Sequence, residues 1–287
     1  MHTSNQTYKE LAIPYFKESF NCIDEVMQEL HIPYYLIGVS AIALELLKDG
    51  IKPGRGTKDI DFAVMISSIS EYENIGTALA TRGFKRIATP WTFYSDVFKV
   101  AIDVLPFGEI EENYAVNFND RYTDLHVLGF REVMEEAVQV QKEEKIANIP
   151  PLPGMVILKL IAWSDRPEER ENDLSDILKI IQHYYDLKWD EIVEQHADTL
   201  DNEPFDHLLI AAEVLGRNSR LYLQKSEAIS SRILKVLETN LQLATKSAIA
   251  KEWARKLDKN IEYTFAILTA FQKGIMHDPQ QGEEPAS

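Results

Sequence analysis

Thr57-Lys58-Asp59-Ile60-Asp61-Phe62-Ala63-Val64 alternates acids with apolar residues, at the period with which strand side chains point to opposite faces. Ile60, Phe62 and Val64 would face a core, leaving Asp59, Asp61 and Ala63 on the other face. Two carboxylates so close repel each other, which favours raised pKa values or a bound cation. A divalent metal is the simplest resolution. A third acid strengthens this reading: in residues 97–105, Phe98, Val100, Ile102 and Val104 share one face, and Asp103 lies on the other with Lys99 and Ala101, near the strand's end. If the two strands are neighbours, three carboxylates converge as the oxygen-donor set that Mg²⁺ or Mn²⁺ takes. The competing reading is that these acids are solvated, or pair with Lys58 and Lys99.

Upstream, the apolar run at 34–37 gives way to a helical period at Ile42, Leu46 and Leu47, with Gly38-Val39-Ser40 as the turn between them. A glycine there lets the backbone approach a ligand, and the free amides of a helix start favour an anion. Ser40 is read as an N-cap or as a hydroxyl donor to a phosphate; an ordinary strand-to-helix turn is the plainer alternative. Arg55 and Lys58, at the end of a Pro- and Gly-bearing loop over 49–56, would meet phosphates or form a solvated basic loop.

A second constellation follows Pro150-Pro151-Leu152-Pro153-Gly154, where residues 155–163 read as a buried helix entered from a rigid turn, with Lys159 as its one charge. A buried ammonium needs an acid or a ligand phosphate. Arg166 falls on the same face if the helix continues. Beyond Pro167, Asp173 and Asp176 lie three apart on another helix, and an inter-helix salt-bridge network is the alternative role for Asp165 and Asp176.

Together, Gly38-Val39-Ser40-Ala41, the stretch from Arg55 through Thr57 and Lys58 to Asp61, Ile102-Asp103-Val104-Leu105-Pro106-Phe107-Gly108, and Lys159 through Arg166 resemble the nucleotidyltransferase superfamily, the fold shared by polymerase β-like enzymes. More closely they resemble the bacterial AbiEii/AbiGii-type enzymes, the toxin components of abortive-infection and toxin–antitoxin pairs. The resemblance covers residues 34 to 180. It implies Mg²⁺- or Mn²⁺-dependent transfer of a nucleoside monophosphate from an NTP to an acceptor hydroxyl, with pyrophosphate leaving. Asp59, Asp61 and Asp103 would be the metal ligands, and Asp103 would bind a second metal or act as base. Lys159 would join them in catalysis. Gly38, Ser40, Arg55, Thr57, Lys58, Arg166 and Asp173 would bind the nucleotide, with Asp165 and Asp176 as further candidates. A tRNA acceptor and a cognate antitoxin are the implied partners.

The chain that must position these groups has 287 residues, 45% of them hydrophobic, enough for a proper core in one or two domains. The expected fold class is α+β. A nucleotidyltransferase-type mixed β-sheet domain with flanking helices occupies 1–150, a mostly α-helical C-terminal domain completing the nucleotide site occupies 151–275, and 276–287 is a disordered tail. Helices are expected at 8–30, near 70–82 and from 131, strands near 84–88, 97–105 and 123–128, and only helices beyond 155, interrupted at Pro167, Pro204 and Gly216. Cys22, the single cysteine, reads as core packing and excludes an internal disulfide. No run approaches the ~20 apolar residues a bilayer span needs, so no membrane partner and a cytoplasmic location are expected.

The net charge of −16 opposes a wide grip on a polyanion. Between Arg217 and Lys259, however, ten basic residues face four acids, a balance of +6. These would be an RNA-docking arm or simply a solvated helix surface. Two other readings stay open: transfer to a small-molecule or protein hydroxyl, where an acidic surface suits a cationic small substrate, and a catalytically silent nucleotide-binding interaction module.

Overall fold

Phe16, Phe20, Ile23 and Met27 recur every three or four residues, and this stripe winds into helix α1 (Phe16–Leu30) with all four side chains buried. The computed structural model describes residues 15–52, 57, 59–87, 89–118, 124–142 and 145–278. It divides into two units at Met155 and Val156.

The first unit is built on a mixed five-stranded sheet of β1 (Tyr34–Ile37), β2 (Asp59–Ile66), β3 (Phe84–Arg86), β4 (Thr92–Ser95) and β5 (Val100–Gly108), in the order β1-β2-β5-β4-β3. Strands β2 and β5 run parallel at its centre; every other pair is antiparallel. Parallel neighbours need a crossover connection, which helix α3 (Ile69–Thr81) and the β3–β4 hairpin supply after the shorter helix α2 (Gly38–Leu47). Ile60, Phe62 and Val64 are fully buried while Asp59 and Asp61 are half-buried, as the alternation predicts. Helix α3 starts on Ser68, whose Oγ accepts from Glu71 N at 3.3 Å, while Glu71 Oε2 accepts from Ser67 N at 2.7 Å, a reciprocal arrangement close to a capping box. Its Tyr72 hydroxyl donates to Val104 O at 3.0 Å, tying α3 to β5. Burial pushes that phenol well above its ordinary pKa. The unit also holds the pair β6 (Ala115–Asn117) and β7 (Asp124–His126), helix α4 (Phe130–Met134), and the hairpin of β8 (Val138–Lys142) and β9 (Lys145–Ile149).

Several expected boundaries move. The strand anticipated over 97–105 begins at Val100, because Phe98 and Lys99 belong to the turn out of β4, with Lys99 at φ 54°. The strand also runs on to Gly108, so Asp103 sits inside it rather than near the end. Strands β4, β6, β8 and β9 were not anticipated, although Val138-Gln139-Val140-Gln141 alternates with period two. Cys22 is half-buried rather than a core residue. Residues 8–14 of the expected first helix lie outside the described residues, as does 279–287 of the expected tail, whose first residue, Met276, ends a helix.

Among the described residues, the second unit is helical throughout. It is entered through α5 (Leu152–Asp165) and continues with α6 (Glu171–Leu187), α7 (Trp189–Gln195), α8 (His207–Lys225), α9 (Glu227–Gln242), α10 (Ala248–Leu257) and α11 (Ile261–Met276). Helix α5 starts three residues before the expected Met155, with Pro153 in its first turn, where a missing N–H breaks no helical bond. Asp206, Ser226, Ser247 and Asn260 cap α8, α9, α10 and α11 by accepting from first-turn amides. No break occurs at Gly216, which lies within α8. A Cβ added there would lie 2.2 Å from Phe271 O, and one on Gly274 would lie 1.9 Å from Glu213 O. The two glycines let α8 and α11 meet backbone to backbone, and this close packing outweighs the poor helix propensity of glycine. None of the described helices is long and apolar enough to cross a membrane.

In the basic stretch between Arg217 and Lys259 the lysines are exposed, while each arginine has an acid partner. Arg217 pairs with Asp198 and Glu213, Arg220 with Asp278, Arg232 with Asp165 and Arg255 with Glu252. All four of its arginines are thus engaged by acids of the same unit, which leaves lysines to carry any attraction for a polyanion.

Candidate metal centre

Strand register builds this site. Ile37 on β1 pairs with Asp61 on β2, Asp61 with Asp103 on β5, and Asp103 with Thr92 on β4, so one row crosses four strands. Asp59 stands two residues before Asp61 and therefore on the same sheet face. One carboxylate oxygen from each of Asp59, Asp61 and Asp103 lies within 4.8 Å of the others, and all three residues are half-buried. Like charges directly opposite on neighbouring strands destabilise a sheet by about 0.2–1 kcal/mol. Three hard oxygen donors converging in this way suit a divalent cation of the Mg²⁺ or Mn²⁺ kind.

The surrounding contacts brace each carboxylate differently. Thr57 Oγ1 donates to Asp59 Oδ1 at 2.5 Å, and Thr92 Oγ1 donates to Asp103 Oδ1 at 2.6 Å. Gly38 has φ +67°, and a Cβ there would lie 2.1 Å from Asp61 Oδ2. The turn glycine, expected to let the backbone approach a ligand, brings it against a carboxylate of the cluster. Gly38→Ala is expected to cost about 1–2 kcal/mol from the left-handed backbone alone and to push the Asp61 carboxylate out of place. Thermal melting together with Mn²⁺ titration checks this; a variant that melts and binds Mn²⁺ like wild type would contradict it.

Ser40 is not the N-cap, because Ile37 precedes the first residue of α2 and no side chain caps it. Ser40 instead lies in the first turn, fully buried, and its Oγ has no hydrogen-bond partner among the described residues. A buried hydroxyl left unpaired is costly. Arg55 and Lys58, expected at the phosphates, lie outside the described residues.

The remaining expected site residues belong to the second unit. Lys159 Nζ, almost wholly buried, donates to Asp173 Oδ1 at 2.7 Å and to Asp176 Oδ2 at 2.8 Å, and Arg170 Nη1 donates to Asp173 Oδ2 at 3.3 Å. Burial alone would push the Lys159 amine down; the two carboxylates outweigh it and hold the pKa above the ordinary lysine value. Of the two partners anticipated for Lys159, acid or phosphate, the structure supplies acids. Arg166 lies one residue beyond the end of α5, half-exposed and 3.7 Å from Glu169, so the helix does not carry it onto the face of Lys159. Asp165 pairs with Arg232. Sequence reading missed Thr92, whose only signal is its place in a short β-branched and aromatic stretch.

No protein-family model and no curated protein matches the chain. Among solved structures, ANT(2'')-Ia in complex with adenylyl-2''-tobramycin is similar at 12% identity and a TM-score of 0.40, over 75% of this chain and 97% of that one. An antigenic nucleotidyltransferase-like protein from Paracoccidioides brasiliensis gives 14% and 0.39, over 77% and 93%. JHP933 from Helicobacter pylori gives 16% and 0.27, over 82% and 99%. A likeness with scores this low carries no argument about the chemistry of this chain, which rests on its own residues.

Proposed function

We propose that this protein is a metal-dependent nucleotidyltransferase that moves a nucleoside monophosphate from an NTP to an acceptor hydroxyl, releasing pyrophosphate. The observation that carries the reading is the register that sets Asp61 opposite Asp103 with Asp59 on the same face. Asp59 and Asp61 supply oxygen ligands, and Asp103 either adds a further ligand or takes the proton of the acceptor hydroxyl. When bound, Mg²⁺ or Mn²⁺ neutralises charge on the attacked phosphate and lowers the acceptor's pKa. Gly38 and Ser40 present the start of α2 to the triphosphate, where unpaired amides favour an anion; the buried Ser40 hydroxyl, without a partner among the described residues, supports this. Thr57 steadies Asp59, and Arg55 and Lys58 complete the phosphate contacts. Lys159, Arg166 and Asp173 are the proposed nucleotide contacts of the helical unit, and the clamp of Lys159 by Asp173 and Asp176 favours a share in shaping that unit.

The acceptor we put first is tRNA, in the manner of AbiEii-type toxins paired with an antitoxin in the cytoplasm. The capture of all four arginines of the basic stretch by acids, with a net charge of −16, favours a cationic small-molecule acceptor as the second reading. The test is incubation with Mg²⁺ and each α-labelled NTP in turn, with total tRNA, with a polyamine alcohol, and with neither, beside an Asp59→Asn/Asp61→Asn control. Label reaching tRNA only when the aspartates are intact supports the first reading. Label reaching only the polyamine alcohol selects the second. Label reaching nothing, while NTP still raises the melting temperature, sinks both acceptors and moves the search to a protein hydroxyl or to a silent nucleotide-binding module.

A further inference from the structure

We propose that Thr92 is a positioning residue of the metal centre, fixing the rotation of the Asp103 carboxylate through its hydroxyl. This rests on reading Asp59, Asp61 and Asp103 as metal ligands. A carboxylate turns easily about its Cβ–Cγ bond, since that torsion is broad and without sharp rotamer wells. Something must therefore hold Asp103 if its oxygens are to be ready for a cation. Thr92 sits directly opposite it on the antiparallel strand β4, nearly buried, and Thr92 Oγ1 donates to Asp103 Oδ1 at 2.6 Å.

Three properties make threonine suited to this post. It has one hydroxyl proton, which is committed to this bond. Its branched Cβ restricts χ1, so the hydroxyl has a fixed aim. Its backbone is pinned beside the site, because Val104 N donates to Trp91 O at 2.9 Å. The arrangement has a counterpart at Asp59, where Thr57 donates at 2.5 Å, but Thr57 precedes its strand whereas Thr92 is part of the sheet. Groups that orient metal ligands typically change metal affinity 10–100-fold when removed.

Thr92→Val keeps the shape and the strand preference while deleting the hydroxyl; Thr92→Ser keeps the hydroxyl. Mn²⁺ binding to the full chain, followed by electron paramagnetic resonance and with thermal melting alongside, is measured for wild type, both variants and Asp103→Asn. The expected result is a roughly 10–100-fold weaker Mn²⁺ affinity for Thr92→Val, with most of the affinity restored in Thr92→Ser. Wild-type affinity in Thr92→Val overturns the assignment while the metal centre stands. Equal weakening in both variants also overturns it, since the methyl group and not the hydroxyl would then be what matters. Absence of Mn²⁺ binding in wild type removes the metal centre itself, and the role of Thr92 with it. Should Thr92→Val fail to fold, Thr92→Ala read against Thr92→Ser decides the same question.

Discussion

Asp103→Asn is expected to reduce nucleotide transfer by about 10³-fold or more, because a lost metal ligand forfeits several kcal/mol of charge stabilisation and each 1.36 kcal/mol is tenfold in rate. The same substitution is expected to leave the metal-free protein as stable as wild type or more so, by about 0.2–1 kcal/mol, since it removes one of two like charges facing each other across β2 and β5. Asparagine keeps an oxygen for the Thr92 hydroxyl, so the row across the sheet survives. Initial rates with labelled NTP and urea unfolding in a chelating buffer provide the two readings. Opposite signs for activity and stability are what a binding site under electrostatic strain predicts. A clear loss of stability without metal would mean that the contacts holding Asp103, the Thr92 hydroxyl among them, outweigh its repulsion from Asp61.

Lys159→Met is expected to destabilise the helical unit by about 3–5 kcal/mol, the usual cost of removing one partner from a buried ionic cluster. The substitution leaves Asp173 and Asp176 facing each other with the ammonium gone and Arg170 beside Asp173. Adding Asp173→Asn and Asp176→Asn to it is expected to recover much of the loss. The effect carries a pH signature. Pairing holds the amine above its ordinary value, so its contribution is complete below about pH 10, the ordinary lysine range, and fades as pH rises through the raised value. Chemical denaturation of the single and triple variants checks this, and a Lys159→Met protein with wild-type stability would refute it. Transfer activity in the triple variant then separates the two roles of Lys159: if the fold is restored while turnover remains absent, the amine serves the nucleotide as well as the fold.

The legible part of this protein was its local periodicity. Alternation from Asp59 to Val64 placed two acids on one face and three apolar residues in the core, because period two is a property of the chain itself. The convergence with Asp103 remained conditional, since strand register across some forty residues is decided by packing of the whole sheet. Thr92 was invisible for the same reason: its significance comes entirely from facing Asp103 on another strand. The turn from β1 to α2 was recognised, but the carboxylate pressed against Gly38 follows from the pairing of Ile37 with Asp61. Gly216 was misread because a helix interior usually excludes glycine, and only the backbone of α11 explains its presence. The arginines looked like a basic surface because ion pairs with acids distant in sequence, such as Asp165 and Asp198, leave no local trace.

The joint between α8 and α11 also bears on how the chain acquires its shape during synthesis. Gly216 and Gly274 must be brought together around two intervening helices, so the contact adds nothing until residues near 274 have left the ribosome. A nascent chain ending at Lys259 would hold α8, α9 and α10 without the partner that covers the small-residue face of α8. Non-local contacts reward the chain only after the loop between them has closed, and the helical unit is therefore expected to lock late, in one cooperative step, with α11 as the closing piece.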